Sequence, residues 1–262
     1  MASIDEIVDR AIAVLAERPS AFVTDIDGTL SRIVARPEDA RVSPIAREAI
    51  ERLLPRVDLL AVVTGRETDV ARRMVGIAGL TYIGSYALSE AGLLEEESEA
   101  IEKARAMVEP FLPRLPGVTL EAKDVSFALH YRNCADPEAM RSRVIALLEP
   151  IAAEAGAKLL EGKLVVEVAP RALPDKGSAF TLLMRDEAIR GSIFVGDDLA
   201  DTAIFLEIRR RRTEGRPGLA VGVVDAETPA AVIETSDVQL AGVSGVEAFL
   251  TALALRLEGG VR

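Results

Sequence analysis

Asp25 and Asp27 stand one residue apart in the stretch Asp25-Ile26-Asp27-Gly28-Thr29-Leu30, directly after the apolar run Ala21-Phe22-Val23. Two carboxylates where a buried strand ends lie at the sheet edge at which α/β folds place their ligands. Asp and Gly are also ordinary turn residues, so the pair alone decides little. Three further pieces follow in order: Thr64-Gly65-Arg66 after Leu59–Val63, then Asp175-Lys176-Gly177, then Gly196-Asp197-Asp198 after Ser192–Val195, with Asp201 one turn on. Carboxylates gathered from separate strand ends repel one another, and near neutral pH a cation is needed to keep them ionised. Ligands that are all oxygen select a hard ion, and Mg²⁺ is the one expected. Lys176 and Thr64 would add positive charge and a hydrogen bond from the other side. The chemistry this suits is phosphoryl transfer, in which positioning and charge neutralisation dominate.

The residue counts close off other chemistries. One cysteine, Cys134, excludes an internal disulfide and a cysteine-rich zinc site, and one histidine, His130, excludes a poly-histidine metal site. Arg141 lies one residue too far from Cys134 for a cysteine-phosphatase loop, so Cys134 reads as a small buried hydrophobe. A net charge of −11 argues against nucleic acid or an anionic membrane as partner. No apolar run approaches the ~18 residues of a membrane span. The N-terminal stretch, with Ser3, Asp5, Glu6 and Asp9 among apolar residues, is unlike a secretory leader. A cytoplasmic monomer acting on a small molecule is therefore expected.

The elements that must position these residues can be read from periodicity. Ile4, Ile7, Val8, Ile12 and Leu15 predict a first amphipathic helix. Ser43-Pro44 opens a second that stops at Pro55, Leu59–Val63 is a second buried strand, a helix starts near Thr68, and residues 80–84 form a third strand. This alternation predicts a doubly wound, Rossmann-like parallel sheet. The order then becomes helix, strand pair, helix, strand pair: a helix from Glu95, strands over 118–123 and 126–132, a helix from Asp136 to about Glu154, and strands over 158–160 and 164–168 turning at Gly162. From Lys176 the α/β alternation resumes. Ser244 with Glu247 predicts a capping box for the last helix, and the Arg209–Arg212 run reads as a solvated helix end. The expectation is an α/β core formed by residues 1–100 and 171–262, with a smaller α+β cap inserted at 101–170.

Asp-x-Asp-Gly-Thr, Thr-Gly-Arg, Lys-Gly and Gly-Asp-Asp in this order resemble the haloacid dehalogenase superfamily of phosphatases. The resemblance implies that Asp25 is the nucleophile, forming an aspartyl-phosphate, and that Asp27 protonates the leaving alcohol and then activates water. It implies that Thr64 and Lys176 hold the phosphate and that Arg66 contacts substrate. Mg²⁺ would be bound by Asp25, by Asp27 through its backbone carbonyl, and by Asp197. Asp198 completes the expected metal set, with Asp198 and Asp201 acting through water or by orienting Lys176.

Within the superfamily the chain resembles trehalose-6-phosphate phosphatases. The matching pieces are Asp27 to Ser31 with Pro37, Glu121-Ala122-Lys123 with Ser126, His130-Tyr131-Arg132, Gly162-Lys163, and Val166-Glu167-Val168 with Pro170. The family binds sugar hydroxyls with residues that map onto Glu121, Lys123, Lys163 and Glu167. On a strand, Glu121 and Lys123 would share a face, as would Lys163 and Glu167; cross-strand salt bridges are the plainer role for the same residues. His130 reads as structural. Two places depart from the family pattern: Gly84-Ser85-Tyr86-Ala87 replaces Gly-Asn-His-Gly, and Ala200 and Thr202 flank Asp201. The first bears on the sugar, while the second leaves the metal carboxylates intact. The expected reaction is Mg²⁺-dependent hydrolysis of a sugar phosphate, with trehalose 6-phosphate leading. Sucrose phosphate or a glycosyl-phosphoglycerate are the alternatives, and a phosphomutase or a non-catalytic sensor are more distant ones.

Overall fold

The computed structural model describes residues 2–34, 36–84, 95–123, 125–186 and 188–259. It divides into two compact units, residues 1–86 with 175–262 and residues 87–174.

In chain order the first unit opens with α1 (Ile4–Leu15), β1 (Ser20–Thr24), α2 (Pro44–Leu53), β2 (Leu59–Val63), α3 (Thr68–Val75) and β3 (Thr81–Ile83). The second unit supplies α4 (Glu95–Val108), β4 (Thr119–Ala122), β5 (Phe127–His130), α5 (Pro137–Glu154), β6 (Ala157–Gly162) and β7 (Val165–Pro170). The chain returns to the first unit with α6 (Lys176–Asp186), β8 (Gly191–Gly196), α7 (Thr202–Thr213), β9 (Gly218–Val224), α8 (Ala230–Thr235), β10 (Val238–Ala241) and α9 (Gly242–Gly259). Among the described residues, no helix is long and apolar enough to cross a membrane.

The first unit is a six-stranded sheet in the order β10-β9-β8-β1-β2-β3, with every pairing parallel. Its strands are apolar runs because both faces are covered. Alternate residues divide between the faces: Phe22, Leu60, Val62, Ile193 and Val195 pack under α1, α2 and α9, while Ala21, Val23, Ala61, Val63 and Phe194 pack against α6 and α7. The connection leaves β1 toward β2 on one side and returns to β8 on the other. The strand order thus reverses between β1 and β8, and a crevice opens at their C-terminal ends.

The second unit is an antiparallel sheet, β4-β5-β7-β6, with its own core. Phe127, Leu129, Val166 and Val168 pack on one face with Ile101, Ala104 and Val108 of α4 and Val144 and Leu148 of α5.

Three local expectations are corrected. The β6–β7 hairpin turns at Lys163-Leu164 rather than Gly162, which pairs with Val165; Leu164 takes φ +63°. Lys163 therefore lies in the turn and shares no strand face with Glu167. The last helix begins at Gly242, and Glu247 accepts a hydrogen bond from Ser43 instead of closing a capping box with Ser244. In the basic run, Arg211 is buried and donates to the Ile189 carbonyl at 2.7 Å. Gly84 is described, whereas Ser85, Tyr86 and Ala87 of the departure from the family pattern lie outside the described residues.

Candidate active site

Asp25, Thr64 and Asp197 are each the first residue beyond a strand of the parallel sheet: β1, β2 and β8 respectively. The strand register therefore sets their relative height, and the Asp25 amide is held by the Val195 carbonyl at 2.9 Å. After Asp25 the chain folds back tightly. The Ile26 carbonyl accepts from the amides of Thr29, Leu30 and Ser31, and Gly28 takes φ +79°. A Cβ on Gly28 would stand 2.0 Å from Asp197 Oδ2, so the glycine leaves the space that the Asp197 carboxylate fills. The Thr29 hydroxyl donates to Asp197 Oδ1 at 3.4 Å.

Lys176 is the first residue of α6 and is buried. Its ammonium lies 2.7 Å from Asp201 Oδ1 and 3.0 Å from Asp25 Oδ1. Asp201 in turn accepts the backbone amides of Asp197 and Asp198 on Oδ2, both at 2.9 Å. Gly196 makes room for this approach, since a Cβ there would meet the Asp201 carboxylate at 2.5 Å.

The carboxylates of Asp25, Asp197 and Asp201 are all buried and each offers an oxygen within 4.8 Å of the others, a cluster that could hold a metal ion. Burial raises the Asp25 carboxyl to about 7; Lys176 opposes this, while the charges of Asp201 and Asp27 add to it. Burial likewise pushes Asp197 well above the usual carboxylate range, helped by the negative charges of Asp25, Asp201 and Asp198 and opposed by Lys176. The donor set fits a hard divalent cation: three buried carboxylates face one ammonium, and a doubly charged ion bound by oxygen balances the difference.

The other expected core residues lie outside this cluster. Arg66 grips the Asp27 carboxylate with both arms of its fork, Nε to Oδ2 at 2.5 Å and Nη2 to Oδ1 at 2.8 Å. Thr64 is buried, and its hydroxyl oxygen accepts the Arg66 amide at 3.3 Å. The Asp198 carboxylate caps the short turn that follows it, accepting the Leu199 amide at 2.7 Å. The structure thus brings Asp25, Lys176 and Asp197 together and adds Asp201 to the acidic cluster. The sequence signal for Asp201 was its place one turn beyond Gly196-Asp197-Asp198. The family resemblance pairs Asp201 with Lys176, whereas nothing local to that helix start announces that its carboxylate turns back toward the lysine.

In the second unit, Glu121, Ala128 and Glu167 are register partners across β4, β5 and β7. Lys123 Nζ donates to Glu167 Oε2 at 2.7 Å, and the Ser126 hydroxyl donates to Glu167 Oε1 at 2.5 Å. His130 Nε2 lies 2.7 Å from Glu121 Oε2. Lys163 belongs to the β6–β7 turn, where its carbonyl accepts from Arg132 at 3.1 Å. Glu121, Lys123 and Glu167 thus belong to one polar sheet face, opposite the face that carries Phe127 and Val168.

A doubly wound parallel sheet with acidic residues and a lysine at its switch point, interrupted by a small α+β unit, defines the haloacid dehalogenase class of fold. The trehalose-phosphatase family model matches residues 23–238. The chain belongs to the trehalose-phosphatase family. A trehalose-phosphate phosphatase of Mycobacterium tuberculosis is 29% identical over 248 residues, covering 87% of this chain and 62% of that protein. An uncharacterized glycosyl hydrolase of the same organism is 32% identical over 208 residues, covering 73% of this chain and 15% of the relative. The chain therefore spans under two thirds of the length of these curated relatives. Among solved structures, the C-terminal domain of the C. albicans trehalose-6-phosphate phosphatase superposes with a TM-score of 0.77 at 19% identity, covering 97% of each chain.

Proposed function

We infer that the chain is a Mg²⁺-dependent phosphatase that hydrolyses a sugar phosphate, with trehalose 6-phosphate as substrate. The observation that carries this reading is the buried constellation of Asp25, Lys176, Asp197 and Asp201, in which the first residue beyond β1 presents a carboxylate beside an ammonium. In the first half-reaction an Asp25 oxygen attacks phosphorus as the bond to the sugar oxygen breaks, leaving the phosphoryl group on Asp25. Asp27 passes a proton to the departing sugar oxygen. In the second half-reaction Asp27 takes a proton from the water that attacks the same phosphorus, and Asp25 is regenerated with release of inorganic phosphate. Lys176 offsets the charge of the nucleophile, and Thr64 supplies a hydrogen bond to a phosphoryl oxygen. Asp25 and Asp197 would hold the cation, with the Asp27 carbonyl as a further ligand and Asp198 and Asp201 beside them. Bound there, Mg²⁺ neutralises phosphoryl charge and orients the ester. Glu121, Lys123, Glu167 and Lys163 serve the sugar hydroxyls, an assignment supported by the mutual proximity of the first three on one sheet face.

Phosphate release over a panel of sugar phosphates, with Mg²⁺ and after chelation, tests the whole reading. Trehalose 6-phosphate is expected to lead the panel and chelation to abolish release. A monosaccharide phosphate leading the panel would replace the substrate while sparing the core chemistry. A requirement for a sugar bisphosphate, with no net phosphate release, would make the chain a mutase.

A further inference from the structure

We propose that Arg66 is a positioning residue: its two-point grip on Asp27 aims the carboxyl that serves the leaving oxygen, and it does not itself hold substrate. The inference rests on the phosphatase reading above.

The turn after β1 fixes the backbone of Asp27, through the amides gathered on the Ile26 carbonyl and the positive φ of Gly28. It leaves the side chain free to choose among rotamers, and that side chain is 36% exposed. The guanidinium removes this freedom. Nε and Nη2 meet one carboxylate oxygen each, and Nη2 also donates to the Pro37 carbonyl at 3.1 Å. Arg66 is thereby tied at once to the β1 turn, to the segment at Pro37 and, through its amide, to the Thr64 hydroxyl. With a side chain only 16% exposed, it is held among protein groups rather than extended into solvent. The grip uses one acceptor site on each Asp27 oxygen and leaves each a second, at which a proton can be carried. In this arrangement Thr64-Gly65-Arg66 divides its labour: the first residue meets the phosphoryl group, and the third orients the acid.

In the first half-reaction a residue that acts through the proton donor matters only where the leaving group needs a proton, whereas in the second it acts on water and affects both esters alike. A sugar hydroxyl leaves as a strongly basic alkoxide unless it is protonated, whereas a nitrophenolate leaves unaided. The experiment measures kcat and KM of wild type, R66A, R66K, D27N and the R66A/D27N double variant on trehalose 6-phosphate and on p-nitrophenyl phosphate. R66A is expected to lose about 100-fold in kcat/KM on the sugar ester, and less than about threefold in kcat/KM on the nitrophenyl ester, because kcat/KM reports the steps up to departure of the leaving group and not the later attack of water. R66K is expected to fail to restore the loss, because a point charge cannot grip both oxygens. The double variant is expected to be no slower than D27N alone on the sugar ester. Equal losses of kcat/KM on the two esters, total loss included, would overturn the proposal and would mean that Arg66 grips the phosphoryl group. A wild type that hydrolyses neither ester would remove the phosphatase reading itself; failure of the proposal alone leaves the wild type active.

Discussion

Two residues at the end of β1 carry consequences that a single substitution can expose. If Asp25 is the atom source for the phosphoryl-enzyme bond, Asp25→Asn removes the nucleophile while keeping shape and most packing. Turnover is expected to fall by about 10⁴-fold or more, with the melting transition retained; an active variant would refute the mechanism. Gly28 tests the acidic cluster from the other side. An alanine there meets Asp197 Oδ2 at 2.0 Å and must adopt φ +79°. Gly28→Ala is expected to cost about 1–2 kcal/mol in stability from the backbone alone, and to weaken Mg²⁺ binding because Asp197 must move. Calorimetric titration with Mg²⁺ checks the second effect separately from the melt.

At the scale of elements, the strands were the easiest feature to anticipate, and the reason is physical. A strand covered on both faces must be largely apolar, so Leu59–Val63 and Ile193–Val195 announce themselves, and the first polar residue after each marks the sheet edge. Asp25, Thr64 and Asp197 could therefore be placed from sequence. Features set by tertiary partners could not. Gly162 looks like a turn residue, yet the core-facing side chains of β6 and β7 fix a register that pairs it with Val165 and forces Leu164 into the left-handed region. Glu247 has the spacing of a capping residue, but Ser43 claims it from another helix. Arg211 belongs to a charged run whose neighbours Arg210 and Arg212 pair with acidic groups nearby, while it alone turns inward to Ile189. Asp201 is of the same kind in its local sequence, since its neighbours Lys176 and Asp25 come from elements remote in the chain, and only the family resemblance pairs it with Lys176. One element-scale flaw offers a gain. Ala188, exposed just past α6, sits at φ +50°, where a Cβ is strained. Ala188→Gly is expected to stabilise the protein by about 0.5–1 kcal/mol, read as a rise in urea midpoint without a change in slope; a lower midpoint would contradict the argument.

For the molecule as a whole, the buried acids couple folding to pH and to metal. Asp25 keeps its proton up to about 7 when folded, against an ordinary value of 3.8. Between those limits the native state binds more protons than the unfolded chain, so stability falls as pH rises through the window. Asp197 acts in the same direction. Carboxylates held down by partners, such as Asp58 and Glu258, titrate below it. Chelated protein is therefore expected to melt at a lower temperature near pH 8 than near pH 5.5. A divalent cation held by these carboxylates would compete with those protons, and the stabilisation by added Mg²⁺ is expected to grow with pH, reaching about 2.7 kcal/mol at a hundredfold excess over its dissociation constant. A chelated protein whose melting temperature climbs steadily across that range would contradict the account.

The pairing of β1 with β8 joins Ser20 to Gly191, partners separated by some 170 positions of chain. At synthesis speeds of about 5–20 residues per second, β1 emerges from the ribosome roughly ten to thirty seconds before its neighbour exists. During that interval a strand with an apolar centre, Ala21-Phe22-Val23, waits with one side unpaired, the condition under which nascent chains associate wrongly. Asp25 meanwhile lacks Lys176, Asp197 and Asp201, so a truncated translation product carries Asp25 without the other members of its cluster. The order of synthesis thus leaves the acidic cluster incomplete until the chain has been made as far as Asp201.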